Sequence, residues 1–273
     1  MEKIQIHLSN KEIFVLLGLL EAPAVIGIDN PFSGLQEEGL KYEWESVIKN
    51  LKDRELVGKR EDGELWIDEG LISALSVMAY SNTIIQVDAP DKSSQSFFYF
   101  AEEFVIECGR INDDLYYLQQ KSEPKIALKN EIFPKVGLEH NQISKSGTLV
   151  LPGTLINDWL NEKGDFNNLD SIICRINNLN QIPALWADLK KSLHRNERIN
   201  RMMMYHFNKD HWTAEGLFVV FSPSNNWTLR MIEKNGKELL EAKQVDLFGL
   251  TKEYLSVAES ALNVGNNKTI LQR

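Results

Sequence analysis

The hydrophobic pattern changes period twice along each half of the chain. Ile13, Leu16, Leu17 and Leu20 recur at three- and four-residue spacings, the mark of one helix face. Ser9 precedes them and Glu12 stands three positions later, which predicts a capping box. Pro23 ends this run, and the stretch through Asp29-Asn30-Pro31 and Ser33-Gly34 reads as an ordered loop. Leu40, Trp44, Val47, Ile48 and Leu51 predict a second helix. The runs Leu56 to Arg60 and Leu65 to Ile67 flank the tight-turn pair Asp62-Gly63 and predict a hairpin. Asp68 is placed to cap a third helix that carries Leu71, Leu75 and Met78.

From Thr83 the alternation is that of strands. Thr83 to Val87, Ser96 to Ala101, Phe104 to Glu107 and Leu115 to Leu118 predict an antiparallel meander, with turns at Asp91-Lys92-Ser93-Ser94 and Asn112-Asp113-Asp114. The run Phe97-Phe98-Tyr99-Phe100 reads as sheet core. Pro124 opens a helix that includes Ile126 and Ile132. The polar stretch Gly137 to Gly147 reads as a connection. Pro152 is expected to start a helix through Leu155, Ile156, Trp159 and Leu160, followed by apolar faces at Leu169, Ile172, Ile173 and Ile176, and at Leu185, Trp186, Leu189 and Leu193.

The grammar then repeats. Arg201 to Phe207, Thr213 to Phe221, Trp227 to Glu233 and Lys237 to Leu240 predict four strands, the last pair joined by the hairpin chemistry of Asn235-Gly236. A final helix is expected to set Leu247, Leu255, Ala258 and Leu262 along one side. Helical opening, meander and closing helix thus occur twice. The order predicts an α+β fold of two related subdomains, residues 1–136 and 137–273, each an antiparallel meander covered by helices. The N-terminal helix–helix–hairpin–helix order is winged-helix-like. A continuous sheet across both halves is one way of joining them.

Composition narrows the function. A hydrophobic fraction of 43% and a charged fraction of 25% are those of a globular chain. The formal charge of -9 opposes general binding to phosphate backbones. The second helix, which a DNA reader would line with basic and amide groups, carries Glu37, Glu38, Glu43 and Glu45 beside Lys41 and Lys49. The apolar run Ile13 to Leu20 is too short to span a bilayer. Cys108 and Cys174 form no disulfide framework and read as free thiols in a reducing cytosol. His206 and His211 lack the further ligands that a metal site needs. No nucleophile elbow or phosphate-binding glycine motif is present, so neither catalysis nor a cofactor is expected. Met202-Met203-Met204 alternates, which predicts core packing on one face and an adaptable contact on the other.

The segments Leu16 to Leu35, LLGLLEAPAVIGIDNPFSGL, and Leu56 to Ala79, LVGKREDGELWIDEGLISALSVMA, run into the Thr83 meander. In these segments, and in the helix–meander–helix order from Met202 to Leu262, the chain resembles the EspG-like proteins of type VII secretion systems. That resemblance implies two related halves and a cytosolic chaperone or adaptor that binds a helical secretion substrate and keeps it soluble for export. The contact surface is expected on the strand and turn from Arg201 to Trp212 and on the loop from Ser222 to Trp227. There Arg201, Tyr205, His206, Trp212 and Trp227 supply the residue types favoured at hot spots. Two other readings stand beside it. One is a winged-helix DNA-binding regulator with a C-terminal sensing domain, and the other is an enzyme whose polar residues meet only in the fold.

Overall fold

The N-terminal cap forms as the Ser9 and Glu12 spacing predicts. The Ser9 hydroxyl accepts from the Glu12 N–H at 3.1 Å, and the Glu12 carboxylate accepts from the Ser9 N–H at 2.7 Å. The computed structural model describes residues 5–22, 25–88, 95–138, 147–155, 169–179, 184–194, 199–221 and 226–263. A short strand β1 (Gln5–Ser9) precedes helix α1 (Asn10–Leu19). Then come α2 (Glu37–Asp53), the hairpin β2 (Val57–Lys59) and β3 (Leu65–Ile67), and α3 (Glu69–Tyr80). Asp68 caps α3 by accepting from the Leu71 N–H at 2.9 Å, and Leu71, Leu75 and Met78 are buried.

The first meander is β4 (Thr83–Asp88), β5 (Ser96–Phe100), β6 (Val105–Arg110) and β7 (Leu115–Gln120). Asn112 closes its last turn, its side-chain oxygen accepting from the N–H groups of Asp114 and Leu115. The Asp91–Ser94 turn lies outside the described residues. All four residues of Phe97-Phe98-Tyr99-Phe100 are buried, alternating between the two faces of the sheet. The helix that Pro124 opens is interrupted: α4 (Pro124–Ala127) passes into a π-helical turn, Leu128–Ile132, and then α5 (Phe133–Val136).

Pro152 ends a strand rather than starting a helix. It is the last residue of β8 (Thr148–Pro152), which pairs with the far edge of the second meander. A proline is tolerated at the end of an edge strand, where its missing N–H interrupts no ladder. Ile156, Trp159 and Leu160 lie outside the described residues. Helices α6 (Leu169–Ile176) and α7 (Ala184–His194) follow. The second meander is β9 (Ile199–Asn208), β10 (His211–Phe221), β11 (Asn226–Lys234) and β12 (Lys237–Val245), closed by α8 (Leu247–Val257) and α9 (Glu259–Leu262). The Asn235-Gly236 turn forms with both residues at positive φ, 54° and 70°. On α8 the core side is Leu250, Tyr254 and Val257, while Leu255 points outward.

One ten-stranded sheet joins the meanders, in the order β1-β7-β6-β5-β4-β9-β10-β11-β12-β8. The order is the same read from either edge: an added strand, three meander strands, and a central pair. That pair is β4 and β9, antiparallel, with Thr83 opposite His206 and Asp88 opposite Arg201. On one face α4, the π-helical turn, α5, α8 and α9 cover a single core that crosses the centre. Its members include Ile85, Val87, Phe98, Met202, Met204, Leu217 and Tyr254. On the other face the core is split. Helices α1 to α3 bury Ile84, Phe97, Tyr99, Ile106 and Leu118, and α6 and α7 bury Ile199, Val220, Trp227, Leu229 and Leu240.

Candidate functional site: a trough over the central strand pair

The split face makes the site. Helix α3 packs over β5, β6 and β7, whereas α7 packs over β8 and β10. On this face the two helical cores reach the central pair at Ile84 of β4 and at Ile199 of β9, and the two clusters stay separate between those positions. Strand alternation then places Gln86 and Asp88 of β4, with Arg201, Met203, Tyr205 and Phe207 of β9, on the floor of the intervening trough. Ala214 and Gly216 of β10 continue that floor, opposite Tyr205 and Met203. The loop after α1 forms one wall: the Tyr99 hydroxyl donates to the Ile26 carbonyl at 2.7 Å, and Gly27 lies against the Phe97 ring.

The trough is graded. At one end a polar network ties the two central strands. Asp88 accepts from Arg201 Nε at 2.6 Å, from Gln86 at 2.8 and 2.9 Å, and from Gln95 at 3.0 Å. The Tyr205 hydroxyl extends it by donating to Gln86 Oε1 at 2.7 Å. Burial raises the Tyr205 phenol above its ordinary range, the nearby Arg201 charge opposing this and Asp88 reinforcing it, so it stays a neutral donor. At the other end the floor is aromatic: Phe207 and Trp212 pack with ring centroids 5.3 Å apart, and Trp212 is 39% exposed. The six residue steps of strand from Arg201 to Phe207 span about 20 Å, and two inter-strand gaps give a width of about 10 Å. Those dimensions match an α-helix about 10–12 Å across and roughly 13 residues long.

The residues singled out in the sequence divide between three environments. Arg201 and Tyr205 lie on the floor and Trp212 at its open end. Arg201 does present a two-pronged contact, but its guanidinium spends it within the chain: Nε and Nη2 both engage Asp88. His206 faces the other side of the sheet, where its Nδ1 lies 3.0 Å from the Thr83 hydroxyl. His211 engages Asp210 instead of pairing with His206. Trp227 is fully buried in the α7-side core and presents no surface to a partner. Its register on β11 opposite Val220 and Gln244 turns it inward. Ser222 to Asn225 lie outside the described residues. Sequence reasoning missed Gln86, Asp88 and Gln95; the signal for the first two was the polar interruption of an otherwise apolar β4 run. Met202 and Met204 are in the core and Met203 is half-buried on the floor, as the alternation predicts.

A second polar cluster lies between β6, β7 and α5. Glu107, only 1% exposed, pairs with Lys121 at 2.6 Å and with Lys135, and accepts from Ser96 at 3.1 Å and Tyr117 at 2.6 Å. Burial pushes the Glu107 carboxyl up, but the Lys135 charge and the donated hydrogen bonds outweigh it and hold the group below the ordinary range. For Lys135, burial works downward and the Glu107 charge prevails, so the ammonium is held above its ordinary range. A serine nucleophile needs a neutral base and an exposed hydroxyl. Ser96 is buried between an ammonium and a carboxylate, so this cluster fixes charge in place. Cys108 is buried and burial pushes its thiol well up, which leaves it un-ionised. Among the described residues, no group of three or more His, Cys, Asp or Glu side chains could hold a metal ion.

No protein-family model and no curated protein matches the chain. The solved structures supply a match. Over 96% of this chain and 96% of the other, it superposes with the Mycobacterium tuberculosis type VII secretion system chaperone EspG5, solved in complex with the PE25–PPE41 dimer, at a TM-score of 0.56 and 8% identity. The fold is similar to that of EspG5. At this identity the likeness shows the architecture alone. An IclR family transcriptional regulator from Brucella abortus aligns over 96% of this chain and 84% of that one at 13% identity, but a TM-score of 0.15 carries no argument for a regulator. Among the described residues no helix is long and apolar enough to cross a membrane.

Proposed function

We propose that the trough holds an apolar α-helix of a partner protein, and that the chain is a cytosolic chaperone or adaptor keeping a helical type VII secretion substrate soluble. One observation carries this reading. Half-buried Met203, Tyr205 and Phe207 and exposed Trp212 form an apolar strip of helix dimensions on the sheet, flanked by two helical layers. The shared fold with EspG5, solved with the PE25–PPE41 dimer, supports the partner class. In this reading residues 1–136 and 137–273 are the two halves that wall the trough, and Arg201, Tyr205 and Trp212 contact the substrate. His206 supports the floor from behind the sheet, and Trp227 supports it from the buried core beside the trough. The function involves holding and release, with no covalent step and no cofactor. The reading takes a protein and not nucleic acid as partner, and the exposure of Glu38, Tyr42 and Glu45 on the outward side of α2 supports it.

The test begins with capture of bound proteins from the native cell, followed by two-component binding with the purified helical partner. Met203→Glu places a charge on the floor and is expected to weaken binding at least tenfold, with circular dichroism and melting temperature unchanged. Phe248→Glu, on the exposed side of α8, is expected to leave affinity unaltered. Specific binding of duplex DNA with no helical protein partner sinks the reading.

A further inference from the structure

The ten-stranded sheet has an internal fork. Strands β10 and β11 pair from Phe221 opposite Asn226 to Leu217 opposite Arg230, and there the ladder stops. Both strands continue past that point, β10 as His211–Gly216 bonded to β9 and β11 as Met231–Lys234 bonded to β12. Residues His211 to Glu215 are all exposed.

The alternation of an antiparallel ladder identifies the groups left free. The Phe207 N–H is donated to the Asn82 carbonyl at 2.8 Å, so odd-numbered β9 residues bond toward β4 and even-numbered ones toward β10. Their β10 partners are Thr213, opposite His206, and Glu215, opposite Met204. The backbone N–H and C=O groups of Trp212, Ala214 and Gly216 therefore aim into the fork.

The outer edges of the same sheet are treated differently. On β8 the outward N–H and C=O of Val150 are both taken by the Asn177 side chain, at 3.0 and 2.8 Å. On β1 the His7 carbonyl accepts from Arg54 at 2.5 Å. Side chains thus block both edges where strand addition is a hazard. The fork carries no such block among the described residues: Thr213 turns its hydroxyl back to the His206 carbonyl, and Glu215 pairs with Arg230 at the crotch.

We propose that the fork edge Trp212–Gly216 is a strand-addition site that takes a short extended segment of a partner protein, separately from the helix in the trough. Its chemistry is set by the two faces of β10. On the trough face the small Ala214 side chain leaves room for a bulky apolar side chain beside Trp212, while the Met203 side chain already lies over Gly216. The opposite face, with His211, Thr213 and Glu215, takes polar ones. The segment recognised is therefore four to six residues of alternating apolar and polar character, lacking proline at the bonded positions.

The probe is a seven-residue peptide of alternating valine and threonine with a lysine at each end, titrated into the intact chain and followed by amide NMR. Binding is expected to shift and protect the amides of Trp212, Ala214 and Gly216. Ala214→Pro removes one outward N–H without touching the β9 ladder, and is expected to weaken peptide binding at least tenfold while melting is unchanged. Met203→Glu, which weakens helix binding in the trough, leaves the Trp212–Gly216 backbone groups in place, so peptide binding is expected to persist in it. No binding, equal binding by Ala214→Pro, or shifts confined to other strands overturns the proposal. A concentration-dependent dimer abolished by Ala214→Pro also overturns it, since the edge then belongs to a second copy of the chain.

Discussion

Replacing Glu107 with glutamine keeps its shape and removes its charge. The wild-type carboxylate is 1% exposed and neutralises Lys121 at 2.6 Å as well as Lys135. Breaking a buried ion pair at one partner costs about 3–5 kcal/mol, because the remaining charge is left uncompensated. Two features of the site lower that figure. Lys121 keeps Glu131 at 3.1 Å, and the Lys135 side chain is 38% exposed and so retains water. The expected loss is therefore near the lower end, about 3 kcal/mol. At about 2–4 °C per kcal/mol for a chain of this size, that corresponds to a drop of about 6–12 °C. The pH dependence has a fixed sign. The folded carboxyl ionises more readily than the unfolded one, whose pKa is about 4.3, so the unfolded state binds more protons as the solution turns acid. The stabilisation is complete above the unfolded value and is lost as pH falls through the folded one. Urea denaturation of wild type and Glu107→Gln at pH 7 and at pH 3 measures both effects. The gap between the proteins is expected to be wide at pH 7 and to narrow at pH 3. A gap under about 1 kcal/mol at pH 7, or one independent of pH, refutes the reasoning.

Two further substitutions test the joint and the core. Gly137 has φ of 119° and an added Cβ would lie 2.5 Å from the Phe221 ring, while its carbonyl accepts from the Tyr254 hydroxyl at 2.7 Å. Gly137→Ala is expected to cost about 2–3 kcal/mol in chemical denaturation, and a loss below about 1 contradicts the strained geometry. Among the described residues, the buried Trp227 indole N–H finds no hydrogen-bond partner. Trp227→Phe removes that unmet donor and is expected to cost less than about 1.5 kcal/mol, against about 3–5 for Trp227→Ala, both read from urea midpoints.

What was legible in the sequence was local. Ser9 with Glu12, Asp68 before its helix and Asn235-Gly236 are decided by backbone groups a few residues away, and each forms as its spacing predicts. The β1 and β8 strands were not legible, because a five-residue edge strand has only one neighbour to shape its pattern, and Pro152 at the end of β8 mimics a helix start. The trough depends on β4 pairing with β9, residues more than a hundred positions apart, and on the separation of the two helical cores along that pair. Residue type alone gave Trp212 and Trp227 equal standing. The register of β11 buries Trp227, whereas Trp212 extends past the end of the β10–β11 ladder. The Arg201 contact with Asp88 was hidden for the same reason, since its partner lies on the other central strand.

Photocrosslinking reads the central claim most directly. With benzoylphenylalanine installed at position 203 on the trough floor, and separately at position 248 on α8, the chain is irradiated in its native cell and the adducts are sequenced. The account predicts that position 203 captures the apolar helix of a secreted protein and that position 248 does not. Adducts at 248 alone, or capture at 203 of a partner segment that is not helical, contradict it.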